Sequence, residues 1–297
     1  MTSRYATPAA FLAAVQSRLK EAAKTSGRPV NEIRRQYFTQ RFLARVYAEE
    51  RPEWILLGGS ALLARIPGAR HSKDIDFVHP HDLTAAAAAL TSILAAVNPD
   101  PFSFDISGGV PTDDNHLTLK VTVRLGATTI DTFTIDITNR PGFAVIDTVQ
   151  PQPVIAIDDV DELPRFLIAP LAQQVADKMC AMYEIHHHSG IAVASSRYRD
   201  LVDLVIITTH RDTVLTADAT ITALTAEQQR RGITIPADLP APNQQWATGY
   251  HKLATRLLPR TLNRIDPALE HIRTFARPVL DGTATGTWHP SAAAWRS

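Results

Sequence analysis

Apolar positions recur every three to four residues near the start of the chain, first as Phe11, Leu12, Val15 and Leu19, then as Ile33, Phe38, Phe42, Leu43 and Val46. That spacing gathers them on one side of a 3.6-residue spiral and predicts helices over 7–24 and 30–50. The pattern then changes. Residues 54–57 (WILL) are a dry run short enough for a buried strand, and Gly58 and Gly59 follow as a tight turn. Ser60 is placed to cap a short helix ending near Pro67 and Gly68. Alternation returns at 74–78 (DIDFV), a strand with Ile75 and Phe77 turned inward. An alanine-rich helix over 83–97 comes next, then two β-like runs, 117–125 and 128–138, joined at Gly126 in hairpin style.

Residues 141–164 carry Pro141, Pro151, Pro153 and Pro164 and read as a connector holding short extended pieces. Beyond it the periodicity is helical, over 167–185, 198–209, 217–231, 244–258 and 267–277. The expected fold is therefore an α/β (α+β) domain with a mixed twisted sheet and two leading helices, residues 1–165. An all-α domain, residues 166–297, follows it.

Composition narrows the class. A chain of 297 residues can bury one large core or two ordinary ones, and 45% apolar with 20% charged residues describes a globular protein. With 30 basic and 30 acidic residues the formal charge is zero, so any nucleic-acid partner must be met by a local patch. Cys180 is the only cysteine, which rules out a disulfide within the chain and fits a reducing compartment. The first 20 residues lack a signal peptide's uninterrupted apolar run, and no stretch approaches the roughly 20 apolar residues of a membrane span. The expectation is a cytoplasmic protein with no membrane partner.

The chemistry concentrates in LLGGSALLARIPGARHSKDIDF, residues 56–77. Residues two apart on a strand share a face, so Asp74 and Asp76 project together, and like charges so close repel unless a cation joins them. Two Mg²⁺ ions, with Mn²⁺ as a substitute, meet that need while leaving positions for phosphate and water. At Gly58 and Gly59 the backbone can approach a phosphate closely, and the amides opening the next helix, at Gly59 and Ser60, point toward negative charge. Arg65, Arg70 and Lys73 add positive charge between the two features. Either a D-x-D pair or a Gly-Gly turn is commonplace alone. Their order, strand, GGS, short helix and D-x-D within about 20 residues, is what points to nucleotide chemistry.

These residues resemble the nucleotidyltransferases of the AbiEii/AbiGii toxin type, which include the mycobacterial MenT toxins, within the DNA polymerase β superfamily. The resemblance lies in GGSALLARIPGARHSKDIDF, the preceding RRQYFTQRFLARVY, and the later ADKMCAMYE and SSRYRDLVDL. It implies a third metal carboxylate on a later strand, for which TFTIDIT offers Asp136, with Asp131 five residues earlier as the competitor. It also implies nucleotide-binding and catalytic roles for Lys178, Arg199 and Asp200. Lys178 would reach a β or γ phosphate, and Asp200 would orient Lys178 or a metal-bound water. Asp203 is either part of that set, a surface residue or the helix partner of Arg199. The expected reaction moves a nucleoside monophosphate from an NTP, and by the same resemblance the acceptor is the 3′ end of tRNA; a pyrimidine nucleotide, CTP first, is the expected donor. Translation stops, and a cognate antitoxin restrains the enzyme. A small-molecule acceptor such as an aminoglycoside, or a nucleotide-binding module without turnover, are the alternatives.

Other features are more ambiguous. Ser72 lies two residues before Asp74, where a phosphate would crowd the metal carboxylates, or its hydroxyl simply fixes the loop. His186, His187 and His188 read as a solvated helix end rather than a metal site, since adjacent helical residues diverge. Trp246 and Tyr250 at i and i+4 read as packing. Lys252, Arg256, Arg260 and Arg264 recur every fourth residue, as one basic stripe that either meets RNA or faces solvent.

Overall fold

A computed structural model of the chain describes residues 5–49, 51, 53–96, 100–109, 115–158, 160–188 and 191–297. The chain forms two compact units, Met1–Pro67 with His71–Ala169, and Gly68–Arg70 with Pro170–Ser297.

The first unit opens with α1 (Pro8–Ser26) and α2 (Val30–Val46). The Thr7 side chain accepts from the Ala10 amide, Pro8 sits in the first turn, and Gly27 closes α1 at φ 66°. This is a helix bounded by its own sequence. Then follow β1 (Ile55–Leu57), α3 (Gly58–Arg65), β2 (Asp74–His79), α4 (Leu83–Ala96), β3 (Ser103–Gly108), β4 (His116–Leu125), β5 (Thr128–Asn139), β6 (Asp147–Val149) and β7 (Phe166–Ile168). They build one mixed sheet in the order β3-β4-β5-β2-β1-β7-β6. The β2·β5 and β1·β7 pairs are parallel, and the others described are antiparallel.

Ile75, Phe77, Leu117, Leu119, Phe133, Ile135 and Ile137 lie on one face of the sheet. They join Phe11, Phe38, Phe42, Trp54 and Leu90 in a single buried core. A charged knot is buried within it. Arg45 Nη2 donates to Asp100 Oδ1 at 2.9 Å and to the Phe102 carbonyl at 2.6 Å, and Arg41 Nε donates to Asp100 Oδ2 at 2.7 Å. These bonds tie α2 to the segment before β3, and the Arg45 guanidinium lies 4.5 Å from the Phe104 ring centre.

The second unit contains α5 (Leu171–Tyr183), β8 (His186–His188), β9 (Ile191–Val193), α6 (Tyr198–Thr209), α7 (Ala217–Arg231), α8 (Gln245–Ala254), α9 (Ile265–Leu280), β10 (Thr287–His289) and β11 (Ala294–Arg296). Trp246 and Tyr250 are packing residues, as their spacing predicts. Both are buried, with Trp246 Nε1 donating to the Ser195 carbonyl and the Tyr250 hydroxyl to that of Leu262. Trp288 packs on Phe275, ring centres 5.0 Å apart, and donates its indole N–H to the Thr208 carbonyl. Among the described residues no helix is long and apolar enough to cross a membrane.

Several sequence expectations are corrected here. The helix predicted from 167 begins at Leu171, because Pro170 holds Ala169 out of the α region and Phe166–Ile168 pairs with β1 and β6. His186–His188 form a strand paired with β9, not a helix end. The basic stripe is not a helix face. α8 stops at Ala254, and Arg256, Arg260 and Arg264 follow it in turns around Pro259. Ser60 does not cap α3, which starts two residues earlier with extended Leu57 as its N-cap. The second unit adds two short hairpins, β8·β9 and β10·β11, to the expected helices.

Candidate active site

The polar face of the sheet carries the candidate chemistry. Asp74 pairs with Thr134 and Asp76 with Asp136 across β2 and β5. β4 sets Thr118 beside Asp136 and Lys120 beside Thr134. Since alternate residues of a strand face opposite sides, all of these share one face. Asp76 and Asp136 are direct neighbours on strands that run about 4.8 Å apart. Thr134 Oγ1 donates to Asp74 Oδ1, and Thr118 Oγ1 donates to Asp136 Oδ1 at 2.6 Å. His116 Nε2 stands 3.6 Å from that same Asp136 oxygen.

Asp131 belongs elsewhere. It pairs with Val123, on the face of Phe133 and Ile135, and is buried. Arg35 Nη2 reaches its Oδ1 at 2.7 Å, Arg34 Nε its Oδ2 at 3.3 Å, and the Thr132 amide donates to Oδ1 at 2.7 Å. The register thus groups Asp136, rather than Asp131, with Asp74 and Asp76.

A glycine is required at 58, the first residue of α3. Its φ is +63°, and a Cβ built there would lie 1.9 Å from Asp76 Oδ2, so the carboxylate fills the space a side chain would need. Gly59 is buried in the first turn of α3. Ser60 Oγ donates to the Asp74 carbonyl at 2.7 Å, and Ser72 Oγ donates to the same carbonyl at 3.1 Å. β2 starts at Asp74, so Ser72 precedes the strand, and in this structure its hydroxyl fixes the loop.

Next to Asp74 lies a cavity of about 480 Å³, lined by Arg34, Arg35, Lys73, Lys120, Thr132 and Thr134 among others. Two of the basic residues expected near the mouth are committed otherwise. Arg65 Nη2 binds Asp147 Oδ2 at 2.6 Å, and Arg70, which belongs to the second unit, binds Asp203 through Nε and Nη2 at 3.1 and 2.9 Å.

Within the second unit, Lys178 Nζ on α5 donates to Asp203 Oδ2 at 2.6 Å and lies 3.5 Å from Asp200 Oδ1 on α6. Arg197 Nε holds the other oxygen of Asp200 at 2.6 Å. Lys178, Asp200 and Asp203 are all buried. Asp203 is therefore neither a surface residue nor the partner of Arg199; it joins α6 to α5 and to Arg70. Burial alone would push the Lys178 ammonium down and the Asp203 carboxylate up. Their mutual attraction outweighs it, with Asp200 adding to the pull on Lys178 and Arg70 to the pull on Asp203, so Lys178 titrates above and Asp203 below its ordinary value.

Residues 41–277 match the sequence profile of the family described as nucleotidyl transferase AbiEii toxin, type IV TA system. The chain belongs to the AbiEii family. Its expected fold is observed in solved structures of low identity. MenT4, a nucleotidyltransferase toxin of Mycobacterium tuberculosis, superposes with a TM-score of 0.54 at 15% identity, covering 89% of this chain and 98% of that one. JHP933 of Helicobacter pylori superposes with a TM-score of 0.50 at 16% identity, covering 85% and 93%. No curated protein sequence matches.

For an AbiEii nucleotidyltransferase the donor set on the polar face is apt. Asp74, Asp76 and Asp136 offer hard oxygens, and Gly58 leaves the Asp76 carboxylate its room. Among the described residues no three such groups close into a metal cage by themselves. Mg²⁺ needs none, since it binds through one or two carboxylates and keeps water and phosphate oxygens in its shell. The residues present fit that ion. The hydroxyls of Thr118 and Thr134, the Asp131 brace and Lys120 were not found from sequence. Their only signal is period-two alternation, which is silent until the strand register is known.

Proposed function

We propose that this AbiEii-type toxin transfers a nucleoside monophosphate from an NTP, with CTP the first donor to test, to the 3′ hydroxyl of tRNA. Translation in the cytoplasm would thereby be arrested until a cognate antitoxin intervenes. The observation that carries this is the face shared by Asp74, Asp76 and Asp136, with the Asp76 carboxylate directly over Gly58. Two bound Mg²⁺, or Mn²⁺, would supply charge neutralisation to the transferring phosphoryl group, held by Asp74, Asp76 and Asp136.

The chain's own contribution is positional. The amides of Gly59 and Ser60 open α3 and would bind triphosphate oxygens. The acceptor oxygen forms its bond to the α-phosphorus as the bond to pyrophosphate breaks, and the hydroxyl proton passes to an Asp136 carboxylate oxygen. In the second unit Lys178 would offer the donor of its ammonium group not taken by Asp203 and Asp200, with Arg199 a further nucleotide contact and Asp200 orienting Lys178. Ser72 is the proposed silencing position. Its hydroxyl is bonded to the Asp74 carbonyl, so a phosphate there adds about two negative charges beside the carboxylates. Ser72→Asp is expected to lose transfer, and full activity would remove this role.

The acceptor is tested by supplying labelled CTP, UTP, ATP and GTP in turn with total RNA and, separately, with an aminoglycoside. Label at tRNA 3′ ends supports the reading. Label on the drug alone selects the small-molecule acceptor, and nucleotide binding without transfer selects the binding module.

A further inference from the structure

We propose that the cavity beside Asp74 seats the acceptor RNA strand. Lys73, Lys120 and the braced Arg34 and Arg35 would grip the phosphodiesters next to its 3′ end. This rests on the transfer reading above and adds where the second substrate lies.

Position is the first argument. The strand order β4-β5-β2-β1 puts the Gly58–Gly59 turn on the β1 side of the carboxylates, while Lys120, Thr132 and Thr134 line the cavity on the β5 and β4 side. In an in-line displacement the leaving pyrophosphate and the entering hydroxyl occupy opposite sides of the phosphorus. If the triphosphate lies at the glycine turn, the acceptor belongs on the other flank, where the cavity is.

Charge is the second. Arg34, Arg35, Lys73 and Lys120 outnumber the two acidic residues of the lining, Glu32 and Asp74. Glu32 is already drawn to Arg28 at 3.8 Å. Lys73 and Lys120 are exposed and have no carboxylate partner among the described residues. They are mobile point charges of the kind that track a phosphate backbone. The two arginines are fixed instead. Buried Asp131 holds both guanidiniums, and Arg35 Nε has no hydrogen-bond partner among the described residues. Asp131 is thus a positioning residue, bracing two cations at the cavity wall.

Size is the third. About 480 Å³ is in the range of pockets that take a small ligand, so a strand end fits where a duplex would not. A chain of zero formal charge has no general attraction to RNA, which makes a local cluster of this kind necessary for the proposed substrate.

The test measures binding of a 5′-labelled single-stranded RNA with a free 3′ hydroxyl, without NTP or metal, across a salt series. It compares wild type, K73Q, K120Q and K73Q/K120Q, each checked by melting temperature. The double variant is expected to bind at least about tenfold more weakly at wild-type melting temperature, with a salt slope shallower by roughly 1.4, two contacts' worth. In label transfer its KM for RNA rises while its KM for NTP stays within about twofold. Unchanged RNA affinity and salt slope in a folded double variant would overturn the proposal, as would a rise in KM for NTP alone. If wild type labels RNA while the variants behave like it, only this inference falls. If wild type neither binds nor labels RNA, the transfer reading falls with it.

Discussion

Gly58 and Asp76 constrain each other, since the Asp76 carboxylate fills the space a Cβ at 58 would need. A methyl group at 58 would both demand a left-handed alanine and collide with the carboxylate. The backbone term alone costs roughly 1–2 kcal/mol. Gly58→Ala is therefore expected to lower the urea midpoint and to abolish nucleotide transfer; a variant of wild-type stability and activity would contradict the placement of Asp76. The same scale shows what a sequence can disclose. Period two is enough to put Asp74 and Asp76 on one side, because that relation lies within one strand. It also says that Asp131 and Asp136, an odd number apart, face opposite ways. It does not say which way, since that depends on the register of β5 against β2. For the same reason Thr118 and Thr134 carry no mark in the sequence, although their hydroxyls hold two of the three carboxylates.

At the scale of elements, α1 and α7 are legible because their caps are local, Thr7 and Thr216 at their starts and Gly27 and Gly232 at their ends. The short strand β7 owes its conformation to β1, a partner more than a hundred positions away along the chain in the pairing of Leu56 with Ile168. The Lys178–Asp203–Arg70 cluster is another such long-range feature, and it bonds α5 to α6 within the second unit. Asp203→Ala would strand two cations, one of them buried, and is expected to cost about 3–5 kcal/mol, read as a lower urea midpoint. Asp203→Asn, which keeps the shape, is expected to lose less. The pH dependence follows from the directions of the shifts. Asp203 titrates below its ordinary value, and Glu227, despite burial, is held down to about 2 by Arg230, Asp177 and Arg231. Both contribute stability above the ordinary carboxylate range and lose it as the pH falls through their folded values, for Glu227 between 4.5 and about 2. Lys178, titrating above its ordinary value, contributes below about 10.5 and loses that only at higher pH. Urea midpoints are expected to be flat near neutrality and to drop on acidification toward pH 2, with Glu227→Gln flattening the acid limb. An acid limb unchanged by that substitution would contradict the assignment to Glu227.

For the whole molecule, the class of fold, a mixed sheet with helices and further helices after it, was readable from where alternation gives way to helical periodicity. The units part at Ala169 and Pro170, and Gly68–Arg70 joins the second unit through a contact no local pattern announces. Zero formal charge also sets an expectation at this scale: RNA affinity will rest on few ionic contacts, so it will fall less steeply with salt than for a strongly basic protein. The most direct test of the central claim is label transfer from each of four α-labelled NTPs to total RNA, with magnesium, by wild type and Asp76→Ala in parallel. Label at tRNA 3′ ends from wild type, reduced at least about a hundredfold in the variant, is the predicted result. No transfer from any NTP, or equal labelling by the two proteins, would contradict it.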